Sequence, residues 1–325
     1  MLSLKTNNST LNNKKKLIEN YKEKYSIIHQ GIMKFQSNFL IDQHKKFKND
    51  LDSLNIIFFF KKNFHEQILR NRINDIRHSL AYDDLRTNYL ASDFKKIKTI
   101  DISTATGLPK ETARRKVMHL IELKLLTFNK NKIYWYPEIK SQITKNKADK
   151  HLNFLIKLIS IVGQCIGIKV NLEDYKDELY KNYSFYCYHY FDLQLKYLNL
   201  WRRAVNDLDF FLIFQELSIN ANSNFFKKNI DYANHFMSKK QKLSVKENSI
   251  SATKISQITG ITRATCMRKL DLLTASKIVT KDFFSKKYFL NLSFDNLKIR
   301  KEVSLNEIDI FCDFFLKVFK ALQGR

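Results

Sequence analysis

Ile102-Ser103-Thr104-Ala105-Thr106-Gly107-Leu108-Pro109-Lys110-Glu111-Thr112-Ala113-Arg114-Arg115-Lys116-Val117 recurs without a gap as Ile255-Ser256-Gln257-Ile258-Thr259-Gly260-Ile261-Thr262-Arg263-Ala264-Thr265-Cys266-Met267-Arg268-Lys269-Leu270, an offset of 255 − 102 = 153 residues. Each copy reads as a short apolar helix, a Thr-Gly turn and a basic second helix, the helix-turn-helix arrangement. In the first copy Ala113, Val117, Leu120 and Ile121 fall on one stripe of an α-helix. That phase turns Lys110, Thr112, Arg114 and Arg115 outward. Pro109 suits the first turn, where its missing N–H is no loss. The second copy keeps the stripe with Cys266, Leu270 and Leu273 and presents Arg263, Thr265, Met267 and Arg268. Cys266 stands where Ala113 does, so it reads as a small core residue and not a reactive thiol. Met267 replaces Arg114 and Asp271 replaces Met118, so the second copy is expected to hold anions less strongly.

The duplication extends in both directions. Asn49-Asp50-Leu51-Asp52 leads into apolar Leu54 to Phe60, and Asn206-Asp207-Leu208-Asp209 into Phe210 to Leu217. From these motifs to the glycine the copies span 107 − 49 = 58 and 260 − 206 = 54 residues, a single loop indel. Downstream, Thr127-Phe128 and Ile133 to Tyr136 flank the turn Asn129 to Lys132. Val279 to Phe284 and Tyr288 to Leu290 flank Ser285-Lys286-Lys287, and both read as hairpins. Helices over Lys147 to Gly163 and Asn306 to Leu322 close the two units. With two prolines and six glycines in 325 residues, little interrupts the remainder. The expected fold is mainly α: two winged helix-turn-helix units, 17–170 and 171–325, with long flanking helices and small β-hairpin wings, behind a disordered tail at 1–16.

Charge narrows the partner. Lys and Arg number 57 against 32 Asp and Glu, leaving +25, the electrostatic signature of a phosphate-bearing or anionic partner. Many of the lysines only solvate the surface. The arginines say more, because Arg114, Arg115, Arg263 and Arg268 are four of only twelve, and guanidinium reads guanine edges and phosphates bidentately. Cys165, Cys187, Cys266 and Cys312 lie far apart with no Cys-x-x-Cys pair, which indicates neither a zinc module nor a disulfide framework. The polar N-terminus carries no secretory signal, so the expected compartment is a reducing cytoplasm, in association with the nucleoid. Leu152 to Ile168 carries Lys157 and Gln164 and is shorter than a membrane span. Its Gly163-x-x-x-Gly167 spacing reads as close helix packing, and no membrane partner is expected.

Other clusters favour plain structural readings. The aromatic run Tyr180, Tyr183, Phe185, Tyr186, Tyr188, Tyr190, Phe191, Tyr197 and Trp201 could stack bases or line a pocket, but core packing is the expected role. Glu173, Asp174, Asp177 and Glu178 read as a solvated acidic face, and Tyr82-Asp83-Asp84 as ordinary helix. His-Glu-x-x-His, Gly-x-Ser-x-Gly and phosphate-loop motifs are absent. A non-catalytic protein with no cofactor and no metal is therefore expected.

The runs Ile102 to Leu126 and Ile255 to Val279 resemble the winged helix-turn-helix regulators, and within them the MarR-type group. The likeness rests on the Ile-Ser pair, the Thr-Gly turn, the Arg-Lys pair and the closing Leu125-Leu126 or Ile278-Val279. It implies a recognition-helix role for Lys110, Thr112, Arg114 and Arg115 and for Arg263, Thr265 and Arg268. It also implies a wing role for Lys130 and Lys132 and for Lys286 and Lys287. One departure is Lys124 and Lys277, where that group usually has glycine. The group acts as two-fold dimers, so the resemblance implies a covalently fused pseudo-dimer, a monomer on a pseudo-palindromic double-stranded DNA site, with a homodimer as the other assembly. The expected function is sequence-specific transcriptional regulation. The alternatives are a plasmid- or phage-type replication initiator, which also carries two winged helices in one chain, and a non-catalytic protein-interaction module.

Overall fold

The structure, a computed structural model, describes residues 14–47, 50–88, 96–129, 132–135, 142–165, 172–221, 231–237, 248–291 and 294–323. Within them the chain is mainly helical, with two small antiparallel hairpins. The first repeat runs α1 (Lys14–Glu23), α2 (Tyr25–Lys46), α3 (Leu51–Ile68), a 3-10 turn (Ile76–His78) and α4 (Tyr82–Asn88). It continues with α5 (Thr99–Thr106), α6 (Lys110–Glu122), β1 (Thr127–Asn129), β2 (Lys132–Tyr134) and α7 (Gln142–Cys165). The second runs α8 (Leu172–Lys181), α9 (Tyr183–Val205), α10 (Leu208–Ala221), α11 (Tyr232–Met237), α12 (Ala252–Thr259) and α13 (Arg263–Ala275). It ends with β3 (Val279–Lys281), β4 (Tyr288–Leu290) and α14 (Phe294–Gln323).

Several expected boundaries shift. Residues 1–13 of the expected tail lie outside the described residues, and Lys14, Lys15 and Lys16 are not tail at all. They form the first turn of α1, whose apolar Leu17 and Tyr21 are buried. The closing helices are longer than read: α7 begins five residues earlier and runs through Gly163 to Cys165, and α14 begins at Phe294. Asn129 and Lys132, read as turn, pair with each other across the first hairpin. Phe283 and Phe284, read as strand, stand instead in the turn between β3 and β4. Tyr136 and Gly167 lie outside the described residues.

Two compact units form, and each is discontinuous in sequence. One takes its described residues from Asp52–Asn199 and Ile310–Arg325, with Lys14; the other takes Lys15–Leu51 and Leu200–Asp309. They do not coincide with the contiguous halves 17–170 and 171–325. The leading helices are exchanged between the repeats. In the first unit α9, from the second repeat, packs on α3: Phe58 meets Phe191 at 5.8 Å between ring centres, and Lys62 pairs with Asp192 at 3.2 Å. In the second unit α2, from the first repeat, packs on α10 and α12. There Gln215 Nε2 donates to the Met33 carbonyl at 3.3 Å, and Ser37 Oγ donates to Glu216.

The aromatic run on α9 is core. Phe185, Tyr186, Tyr188, Tyr190, Phe191 and Tyr197 are all buried, and large rings removed from water supply much of a helical core's stability. Trp201 is buried as well, and its Nε1 donates to Glu307 at 2.8 Å. These rings are therefore closed to nucleic-acid bases. Glu178, read as part of a solvated face, is also buried, where Asn182 Nδ2 donates to it at 2.8 Å. Tyr82 is buried in α4, with Asp83 and Asp84 exposed beside it.

Candidate nucleic-acid interface

The repeated motif owes its residues to one hydrogen-bond pattern made twice. Ser103 Oγ donates across the turn to the Leu108 carbonyl at 2.6 Å, and Ser256 Oγ to the Ile261 carbonyl at 2.7 Å. Thr106 Oγ1 donates to the Ile102 carbonyl at 2.7 Å, and Thr259 Oγ1 to that of Ile255 at 2.8 Å. Gly107 and Gly260 then reverse the chain at φ 69° and 78°, the left-handed region that glycine enters without a Cβ clash. The exchanged leading helices brace the same place. Asn199 Nδ2 donates to the Ala105 carbonyl, and His44 Nδ1 lies 3.2 Å from the Thr259 carbonyl. Each first helix thus has one of its last carbonyls met by a side chain from the other repeat.

Upon this frame α6 and α13 bury the expected stripes: Ala113, Val117 and Leu120, then Cys266, Leu270 and Leu273, with Ile121 half-buried. Cys266 is a fully buried core residue, as read. Pro109 stands one residue ahead of the first helical position, as the cap of α6. Lys110, Arg114 and Arg115 are exposed on α6, as are Arg263 and Arg268 on α13; Thr112 and Thr265 are half-buried.

The exposed groups differ in how free they are. Arg114 is clamped to Glu111 by three hydrogen bonds of 2.7 to 3.1 Å, and this guanidinium holds the Glu111 carboxyl below its ordinary value. The second repeat has Ala264 and Met267 at these two positions, so it lacks both members of the pair. Arg263 Nε donates to Thr253 at 3.2 Å. The Thr265 N–H donates to Thr262 Oγ1 at 3.3 Å, and that hydroxyl donates to Thr265 Oγ1 at 2.9 Å. Thr265 is therefore engaged in capping α13.

The lysine of the repeated Arg-Lys pair faces inward in both copies. Lys269 is buried and pairs with Asp207 at 2.5 Å and Asp209 at 3.5 Å; Lys116 pairs with Asp52 at 3.7 Å. Burial works to raise the Asp207 carboxyl, but the hydrogen bond and charge of Lys269, with the N–H groups of Asp209 and Phe210, hold it below its ordinary value. The Asn-Asp-Leu-Asp motif and the Arg-Lys pair thus recur together because one supplies the other's counter-ion. Only the arginine of each pair is presented to solvent.

Both helices end alike. The Lys124 N–H donates to the Ile121 carbonyl and that of Leu125 to the Leu120 carbonyl, each at 2.9 Å; Lys277 and Ile278 repeat the pattern on Thr274 and Leu273 at 3.0 Å. These are Schellman caps. Lys124 and Lys277 take φ 57° and 58°, the left-handed backbone that glycine enters most readily.

In the hairpins, Lys132 is half-buried on β2, while Lys130 lies outside the described residues. Lys286 and Lys287 are exposed in the second turn, with the Lys286 ammonium 4.3 Å from the centre of the Phe283 ring. Lys281 on β3 reaches Asp271 on α13 at 3.8 Å, tying the hairpin to the helix face that carries Arg268 one turn earlier. Sequence reasoning missed Lys281 as this tie, and it missed the exposure of Phe283 and Phe284, because both were counted into a strand. Among the described residues no group of His, Cys, Asp and Glu could hold a metal ion, and no helix is long and apolar enough to cross a membrane. Cys187, Cys266 and Cys312 are buried free thiols. No family profile, curated protein or solved structure matches the chain.

Proposed function

We propose that the chain is a sequence-specific double-stranded DNA-binding regulator built from two winged helix-turn-helix units, in the manner of a fused MarR-type dimer. The observation that carries this reading is the duplicated solvent-facing arginine, Arg115 and Arg268, held at matching positions on α6 and α13 by matching hydrogen-bonded turns. A helix seated in the major groove presents its N-terminal turns to base edges, and these are the turns that carry Lys110, Arg114, Arg115, Arg263 and Arg268. Lys286 and Lys287 on the second hairpin suit phosphate contacts, which position a protein and make its affinity fall with salt. Lys130 and Lys132 have the corresponding place in the first hairpin by sequence. The exchange of leading helices supports the fused-dimer reading, since swapping one element between two copies is a familiar route to a symmetric pair. Here both copies belong to one chain.

Selection of bound duplexes from a random pool, followed by titration, tests the proposal. A preferred site with two inverted, related half-sites and a salt-dependent affinity is expected, bound by one chain in light scattering. Same-direction repeats would instead favour a replication initiator. Absence of any shift with duplex DNA at moderate salt would leave a protein-interaction module.

A further inference from the structure

Phe283 and Phe284 are 76% and 89% exposed at the tip of the second hairpin, their rings edge-on to one another at 5.5 Å. Single exposed apolar residues are commonplace, but two adjacent phenylalanines held out together call for a partner. The turn that bears them is tied, not frayed. The Asp282 carboxylate accepts from the Ser285 N–H at 2.7 Å, its carbonyl from the Lys286 N–H at 3.0 Å, and its own N–H donates to the Lys287 carbonyl at 2.8 Å. Lys286 completes the turn at φ 55°. The backbone order needed to present the rings is already in place before any partner arrives.

The surroundings say what would cover them. Lys286 and Lys287 flank the rings, Lys281 stands at the base, and the hairpin's acidic member, Asp282, is half-buried with its carboxylate committed to the turn. An apolar tip with the Lys286 ammonium against one ring and Lys287 exposed beside it matches a nucleic-acid base step, where the rings replace stacked bases and the two lysines meet the adjacent phosphates. Among its described residues the first hairpin exposes a single ring, Phe128, which is 57% exposed on β1 and has no aromatic neighbour in sequence. Two residues separate that hairpin's innermost pair, Asn129 and Lys132, and neither is aromatic, whereas six separate Lys281 from Tyr288. The longer tip belongs to the unit whose helix lacks the counterpart of Arg114.

We infer that Phe283 and Phe284 form a wedge that inserts at a flexible base step of duplex DNA and unstacks it, giving the second unit by deformation what its helix lacks in guanidinium contacts. This rests on the DNA-binding reading above. The test uses the full chain and a duplex of about 30 alternating A·T pairs, rich in easily unstacked TA steps, with 2-aminopurine replacing some adenines. Anisotropy reports binding, and 2-aminopurine emission reports unstacking. The parent protein should raise emission about threefold or more, and the double variant Phe283→Ala/Phe284→Ala should lose that rise while binding only about fivefold more weakly. Both positions are solvent-exposed, and an unchanged circular dichroism spectrum will establish that the variant folds. Binding without any rise in emission, or an equal rise with the variant, overturns the wedge and leaves DNA binding standing. No binding at low salt overturns both. In that event, loss on substitution of binding to phosphatidylserine vesicles would reassign the tip to a membrane surface, and loss of self-association in light scattering would reassign it to a second copy of the chain.

Discussion

Two neighbouring residues on α13 should separate binding from folding. Arg268 is exposed, whereas the Lys269 side chain is 3% exposed between Asp207 and Asp209, with its ammonium 4.5 Å from the centre of the Phe210 ring. Lys269→Met keeps the apolar stem and removes the charge. At 3.5 Å and an effective dielectric near 20, a pair of unit charges attracts by about 5 kcal/mol before desolvation is counted. The lysine's own desolvation, and the 40% and 29% exposure of the two carboxylate side chains, cancel a good part of that. A loss of about 2 to 4 kcal/mol remains, close to the range for removing one partner of a buried pair. For a unit of this size that lowers the thermal midpoint by about 4 to 16 °C. Arg268→Ala uncovers no buried group and should change stability by less than about 0.5 kcal/mol. It should instead weaken binding to the selected site by about 1 to 3 kcal/mol, or about 5- to 150-fold. Calorimetric scans paired with anisotropy titrations, run where both variants are folded, measure the two effects. Should Lys269→Met lose DNA affinity as Arg268→Ala does while keeping its midpoint, the lysine faces the ligand and the inward ion pair is not its role.

Three further outcomes are expected. Glu111→Ala installs the residue found at the matching position of the second repeat; it should free Arg114 and remove a charge that repels phosphate, tightening DNA binding about 3- to 10-fold by the scale of charge-assisted contacts, and a weaker complex in titration would contradict it. Lys124→Gly should stabilise the first unit by about 0.5 to 1 kcal/mol, since a left-handed backbone costs an L-residue roughly 1 to 2 kcal/mol and glycine's extra chain entropy offsets part of the gain; a lowered urea midpoint would count against it. Burial, reinforced by the charge of Lys317, pushes His189 down to about 3. The unfolded chain therefore takes up a proton near 6.5 that the folded chain refuses, so this contribution is full above about 6.5 and is lost as pH falls toward 3. Midpoints followed from about pH 7 to 5 should decline, and His189→Gln should flatten the decline; an identical slope in the variant would remove His189 as its source.

Much of the candidate interface was legible because short-range chemistry produces its geometry. The apolar stripe through Ala113, Val117 and Leu120 and its copy through Cys266, Leu270 and Leu273 set which way each helix turns, and helix periodicity alone decides that. The same periodicity could not show that Lys116 and Lys269 bend back to carboxylates at the starts of α3 and α10, because those carboxylates lie dozens of residues away. Nor could it show that Phe283 and Phe284 leave the strand. Alternating β-formers continue through them, and only the Lys281–Tyr288 register ends the ladder.

By itself the sequence determined the duplication, the helical character, the turn positions and the outward set Lys110, Arg114, Arg115, Arg263 and Arg268, all consequences of local propensity and spacing. Tertiary structure alone decided which helix covers which. An amphipathic helix such as α2 or α9 states that one face must be buried, and two nearly equivalent repeats offer that face two nearly equivalent partners. Only the three-dimensional closure of each unit, with His44 on Thr259 and Asn199 on Ala105, shows that each leading helix serves the other copy.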